Sequence, residues 1–148
     1  MTKNFHLAKD ISNISDKIIK ANAGVPAFKT SFRTRATTSN NIDKCLRNVV
    51  TVNNGGFFNE VSSRFESPVD GFYFFSIQAS FGPGIALFEL RINSTTQATV
   101  YKNTMEEMSP MSLTSIEHIA AGDLVEFYYR GTPHTADNSF IGCGNLIG

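Results

Sequence analysis

Two hydrophobic periods divide the chain. Over residues 7–25, Leu7, Ile11, Ile14, Ile18, Ala21 and Val25 recur at alternating steps of four and three. That is a heptad seam, and it predicts an amphipathic helix over 7–21. Asn22, Ala23 and Gly24 supply a stop, and Pro26 keeps the helix from resuming. Isoleucine at both seam positions favours three or four helices over two. So short a seam is marginal alone. It associates with copies of itself, docks on another protein, or packs on the domain it leads into.

Beyond Val25 the period becomes two. Phe28, Thr30, Phe32 and Thr34 alternate with Lys29, Ser31 and Arg33. Further strand-like runs fall at 48–52, 57–61, 85–92, 97–103, 111–119, 124–130 and 139–147. Asn53-Asn54-Gly55-Gly56, Asn93-Ser94-Thr95 and Ala120-Ala121-Gly122-Asp123 read as turns, and 36–44, 104–110 and 131–138 as polar loops. Short strands at this spacing predict an all-β sandwich or jelly roll over 26–148, preceded by a helical segment over 1–25.

The densest stretch runs from Arg64 to Ser80. Pro68-Val69-Asp70-Gly71 is a turn signal, and an aromatic strand follows. Tyr73, Phe75, Ile77 and Ala79 share one face; Phe72, Phe74, Ser76 and Gln78 share the other. Both faces begin apolar, which predicts a central strand covered twice. In a small domain the second cover is often another subunit.

Composition narrows the function classes. Lys plus Arg and Asp plus Glu each number 13, so the formal net charge is zero. That argues against electrostatic nucleic-acid or membrane binding. No apolar run approaches the roughly 18 residues of a spanning helix, so membrane insertion is not expected. Met1–Lys20 lacks the apolar core of a signal peptide, which predicts a protein kept in a cytosol or freed by lysis or a non-classical route. Cys45 and Cys143 read as free, partly buried thiols, with a single disulfide left open.

Catalytic chemistry finds no constellation. Asp123 reads as a turn residue, and His118 beside Glu117 has no nucleophile partner. His6, His118 and His134 are scattered without metal-ligand spacing, and no glycine-rich loop precedes a helix. The chain is therefore expected to be non-enzymatic, with no catalytic residue and no cofactor. Asn93-Ser94-Thr95 fits a glycosylation sequon but reads as an ordinary turn.

The order of these features resembles the globular head of complement C1q, in the C1q/tumour-necrosis-factor superfamily. Asn53, Phe58, Phe65, Gly71, Tyr73 and Phe75 stand at the family's spacing. Ala27-Phe28 matches its opening strand, Ile119-Ala120-Ala121-Gly122-Asp123-Leu124-Val125 its Gly-Asp segment, and Ser139-Phe140-Ile141-Gly142 its close. The collagen-like stalk of animal members is absent, which points to a distant, viral or bacterial relative. The resemblance implies a ten-stranded jelly roll assembled as a homotrimer, with Tyr73, Phe75, Ile77, Phe140 and Leu146 towards the trimer interface. It also raises calcium as a ligand of Glu106 and Glu107, beside the plainer reading of a solvated acidic loop.

The expectation from sequence is thus a virion component: a fibre, knob or decoration made in the host cytoplasm. Leu7, Ile11, Ile14 and Ile18 would anchor it to other virion proteins, and its head would bind host surface glycan or protein. The alternative is a secreted recognition module or cytokine-like ligand that binds a receptor or glycan.

Overall fold

The computed structural model describes residues 10–11, 24–33, 41–46, 48–134 and 140–148, and its elements are all strands. The predicted helix lies outside the described residues except for Asp10 and Ile11; Ile11 is exposed. Nothing there speaks to Leu7, Ile14 or Ile18.

The strands are β1 (Ala27–Phe32), β2 (Asp43–Lys44), β3 (Asn48–Asn54), β4 (Phe58–Asn59), β5 (Arg64–Glu66), β6 (Gly71–Phe81), β7 (Gly84–Ile92), β8 (Thr95–Thr104), β9 (Ser109–Ile119), β10 (Leu124–Arg130) and β11 (Phe140–Leu146). They form two antiparallel sheets, ordered β3-β1-β11-β6-β9 and β4-β5-β10-β7-β8. The ten strands on these two paths match the expected jelly roll. An eleventh, β2, pairs with β10 at Tyr128 and Tyr129. It falls inside the stretch 36–44, which the sequence presents as loop.

Alternation decides what is buried. On β1, Phe28, Thr30 and Phe32 point inward; on β6, Tyr73, Phe75 and Ile77; on β10, Val125, Phe127 and Tyr129. These meet as one aromatic core. Phe28 stacks on Phe58 at 4.8 Å between ring centroids, and Tyr129 meets Phe140 edge-on at 4.9 Å. Full burial of each such ring contributes about 1.5–3 kcal/mol.

Glycine spacing in β11 follows from this crowding. A Cβ on Gly142 would lie 2.7 Å from the Phe32 ring, and one on Gly144 would lie 2.6 Å from both Phe28 and Phe75. What reads in sequence as an interrupted strand is a continuous one that clears space for aromatic neighbours.

The chain enters and leaves at one end of the sandwich. Ala27 pairs with Asn145, and Leu146 donates its N–H to the Pro26 carbonyl at 3.0 Å. The turns after β3, β5, β7 and β9 lie at this end, as does the close of β11. The connections after β1, β6, β8 and β10 lie at the other. The three loops singled out from sequence are therefore anchored together at the end opposite the point of entry.

The two cysteines are free. Cys45 is buried beside β10, its N–H bonded to the Phe127 carbonyl at 2.9 Å, whereas Cys143 is on the outward face of the other sheet. The disulfide left open by the sequence does not form. Burial pushes the Cys45 thiol well above its ordinary pKa, with Lys44 opposing. Burial also raises Cys143, opposed by Lys29 and by a backbone bond with Ser76.

Candidate functional site

The resemblance placed Tyr73, Phe75, Ile77, Phe140 and Leu146 towards a subunit interface. The structure puts the first four between the chain's own sheets, each at 0–1% exposure, and Leu146 half-buried against the same core. Side chains so enclosed line the chain's own core, and the outward row of β6 is the even one. The reason is geometric: the odd positions of β6 meet Phe65 of β5 and Phe88 of β7, and the Tyr73 hydroxyl is fixed there by donating to the Val69 carbonyl at 2.9 Å. Burial pushes the Tyr73 pKa up to about 12; that hydrogen bond opposes the rise and Asp70 adds to it.

The outward face of the β6 sheet carries the even positions. Phe72 is 50% exposed, Ile116 opposite Phe74 is 61% exposed, and His118 meets Phe72 edge-on at 4.9 Å. A bulge between Lys29 and Thr30 turns both Val49 and Val52 to this side. The sequence carried a signal for this choice: Tyr73, Phe75, Ile77 and Ala79 stay apolar along the strand, while the even row turns polar at Ser76 and Gln78.

The other sheet's outward face carries a set of paired charges. Arg91 pairs with Glu89 at 2.8 Å and sits 3.8 Å over the Tyr128 ring. Thr96 donates to Glu89 at 3.2 Å, and Lys44 pairs with Glu126. These charges satisfy one another. Ile85 and Tyr101 are exposed on this face as well, so the two outward faces differ in their paired charges rather than in apolar surface alone.

Candidate chemical residues resolve into structural roles. The Asp123 carboxylate accepts from the Ala120 N–H at 2.9 Å and from Asn93 Nδ2 at 2.9 Å. Asn93 Oδ1 in turn accepts from the Leu124 N–H at 3.0 Å. The sequon asparagine thus ties two turns together with the amide a glycan would occupy. Among the described residues, no group of three or more His, Cys, Asp or Glu side chains could hold a metal ion, so Glu106 and Glu107 gain no such partners.

Among the described residues, two clefts lie at opposite ends of the sandwich. One of about 520 Å³ lies where the chain enters, lined in part by Phe57, Arg64, Glu66 and Gly122. The other, about 720 Å³, lies on the outward face of the β6 sheet at the loop end. Its floor includes Ser31, Ile141, Gln78 and Ser112, which are paired neighbours across β1, β11, β6 and β9. Met108 and His134 stand beside it. No sequence motif marks this groove, because its lining converges from separate strands and loops.

The two-sheet arrangement, with its aromatic core and corner at Gly71, defines a jelly-roll head. The C1q domain family model matches residues 27–139, and the chain belongs to that family. No curated protein sequence matches it. Among solved structures, the globular domain of zebrafish complement 1qA protein is similar at TM-score 0.65 and 17% identity, covering 84% of this chain and 98% of that one. Murine APRIL at pH 5.0 is similar at TM-score 0.61 and 9% identity, covering 82% and 99%. At these identities the likeness is one of fold.

Proposed function

We propose that the chain is a non-enzymatic recognition head that assembles as a homotrimer through the outward face of its β6 sheet. The carrying observation is the cluster of Phe72, Phe74, Ile116 and Ile147 on that face, opposite a face whose charges are already paired. Exposed apolar surface of this kind marks an interaction site. A second copy is the occupant proposed because the C1q resemblance implies three-fold assembly. A ring of three is a closed symmetric solution.

In this reading residues 1–25 are the anchor and 26–148 the head. The proposed setting is a virion, as fibre tip, knob or decoration, with the isoleucine seam holding other virion proteins. The fold likeness to a complement head favours a second reading: a secreted module or cytokine-like ligand. Fractionation separates the two, since a virion component sediments with particles and a secreted one accumulates around intact cells.

Light scattering on the full chain tests the assembly. A trimer mass is expected, and Phe72→Glu with Ile116→Glu should give a folded monomer. A wild-type monomer at micromolar concentration would overturn the proposal.

A further inference from the structure

We propose that the groove at the loop end binds an uncharged saccharide. This deepens the recognition part of the proposed function by giving it a site and a ligand class. The groove lies at the far end of β6 from Phe72: Gln78 is six residues on, about 20 Å at strand rise. Residues 1–25 meet the fold at the Phe72 end, so an anchored head presents the groove outward.

The lining selects the chemistry. Among the described residues, no Asp, Glu, Lys or Arg lines it. Ser31, Ser112 and Gln78 supply hydroxyl and amide groups that both donate and accept, as the hydroxyls of a sugar ring require. Ile141 and Met108 supply apolar surface for the C–H face of the ring, and the Met108 thioether adapts to its shape. Among the described lining residues, a carboxylate, sulfate or phosphate would meet no Lys or Arg. A volume of about 720 Å³ suits a small ligand such as a mono- or disaccharide.

The site is also preformed. The 132–134 segment is pinned to the end of β6: Gly82 N–H donates to the Thr132 carbonyl at 2.8 Å, and His134 N–H to the Ser80 carbonyl at 3.0 Å. His134 Nδ1 lies 3.0 Å from the Glu107 carbonyl, tying this segment to the loop that carries Met108. Covering this polar floor with a dry protein surface would strand its hydrogen-bonding groups, whereas a polyol would satisfy them. The apolar end of the face suits a second copy; the polar end suits a ligand.

The test is titration of the full chain with glucose, galactose, mannose, N-acetylglucosamine and lactose, followed by calorimetry and ligand-observed NMR. Glucose 6-phosphate and N-acetylneuraminic acid serve as charged controls. At least one neutral sugar should bind, and the charged controls should not. Gln78→Leu with Ser112→Val should weaken binding about tenfold at unchanged oligomer mass and unchanged melting temperature; both side chains are exposed, so the fold tolerates the change. Failure of all five neutral sugars to bind overturns the proposal, as does binding indifferent to the double substitution. So does loss of the oligomer in that variant, which would make the groove floor a subunit contact. Gln78-dependent sugar binding by a monomeric wild type would uphold the groove while removing the assembly reading.

Discussion

Gly144 stands directly opposite Phe75 in the β11–β6 pairing, and a Cβ there would lie 2.6 Å from that ring. The same Cβ would meet Phe28 at 2.6 Å from the other side. Two aromatic rings close over a position that holds only hydrogen.

Gly144→Ala should therefore destabilise the fold by about 1–3 kcal/mol through overpacking. A melting temperature lower by about 2–4 °C per kcal/mol is the expected readout. Gly148→Ala serves as control, since nothing lies within 4 Å of its Cβ. Equal stability of the two variants would show that the ring cluster yields without strain.

Tyr73 makes an alkaline prediction. Its folded pKa, about 12, is above its ordinary value of 10.0, so the folded state holds the proton more tightly. The stabilisation is complete below pH 10.0 and is lost as pH rises towards about 12. Urea titrations at pH 9, 10, 11 and 12 should show that decline (roughly one unit per step). Tyr73→Phe should be less stable by about 1 kcal/mol at neutral pH, from the lost bond to Val69, and should show a shallower alkaline decline. Parallel curves for the two proteins would remove Tyr73 from the account.

The thiols should react in order. Cys143 is half-buried and Cys45 is buried, and both are raised in pKa. At pH 8, Cys143 should alkylate more slowly than free cysteine, and Cys45 only on unfolding. Mass spectrometry of the labelled peptides measures both. Cys143 also shares the outward face with Phe72, so Phe72→Glu should speed its labelling if another copy covers that face. Rapid native labelling of Cys45 would contradict the burial described.

Asn53 is the hinge of the β3–β4 turn. Its Oδ1 accepts from the Phe58 N–H, and its Nδ2 donates to the Phe58 carbonyl, each at 3.0 Å. Between them Gly55 and Gly56 adopt left-handed φ values of 82° and 73°. Asn53→Ala should cost about 1–3 kcal/mol by removing two bonds, and Asn53→Asp about half, since a carboxylate keeps only the acceptor. Chemical denaturation distinguishes these. An alanine variant as stable as the wild type would show that the glycine pair holds the turn unaided.

The sequence revealed most of the sandwich because burial leaves a period of two. The buried rows Phe28-Thr30-Phe32 and Tyr73-Phe75-Ile77 are visible before any coordinates. Strand β2 was hidden because two residues carry no period; Asp43 and Lys44 are extended through pairing with Tyr129 and Tyr128. The facing of β6 was ambiguous for a different reason. Phe72 and Phe74 are as apolar as Tyr73 and Phe75, and only further along, at Ser76 and Gln78, does the even row turn polar. The loop-end groove was hidden most deeply. Ser31, Gln78, Ser112 and Ile141 are unremarkable along the chain and become a floor only through register.

The pairing of Ala27 with Asn145 has a practical consequence. Because the fold begins and finishes on adjacent strands, it behaves as a cassette. It can be spliced into a surface loop of a carrier protein without spanning a gap. A fluorophore or display scaffold joined next to Ala27 or after Leu146 would enter at the end of the sandwich opposite its loops.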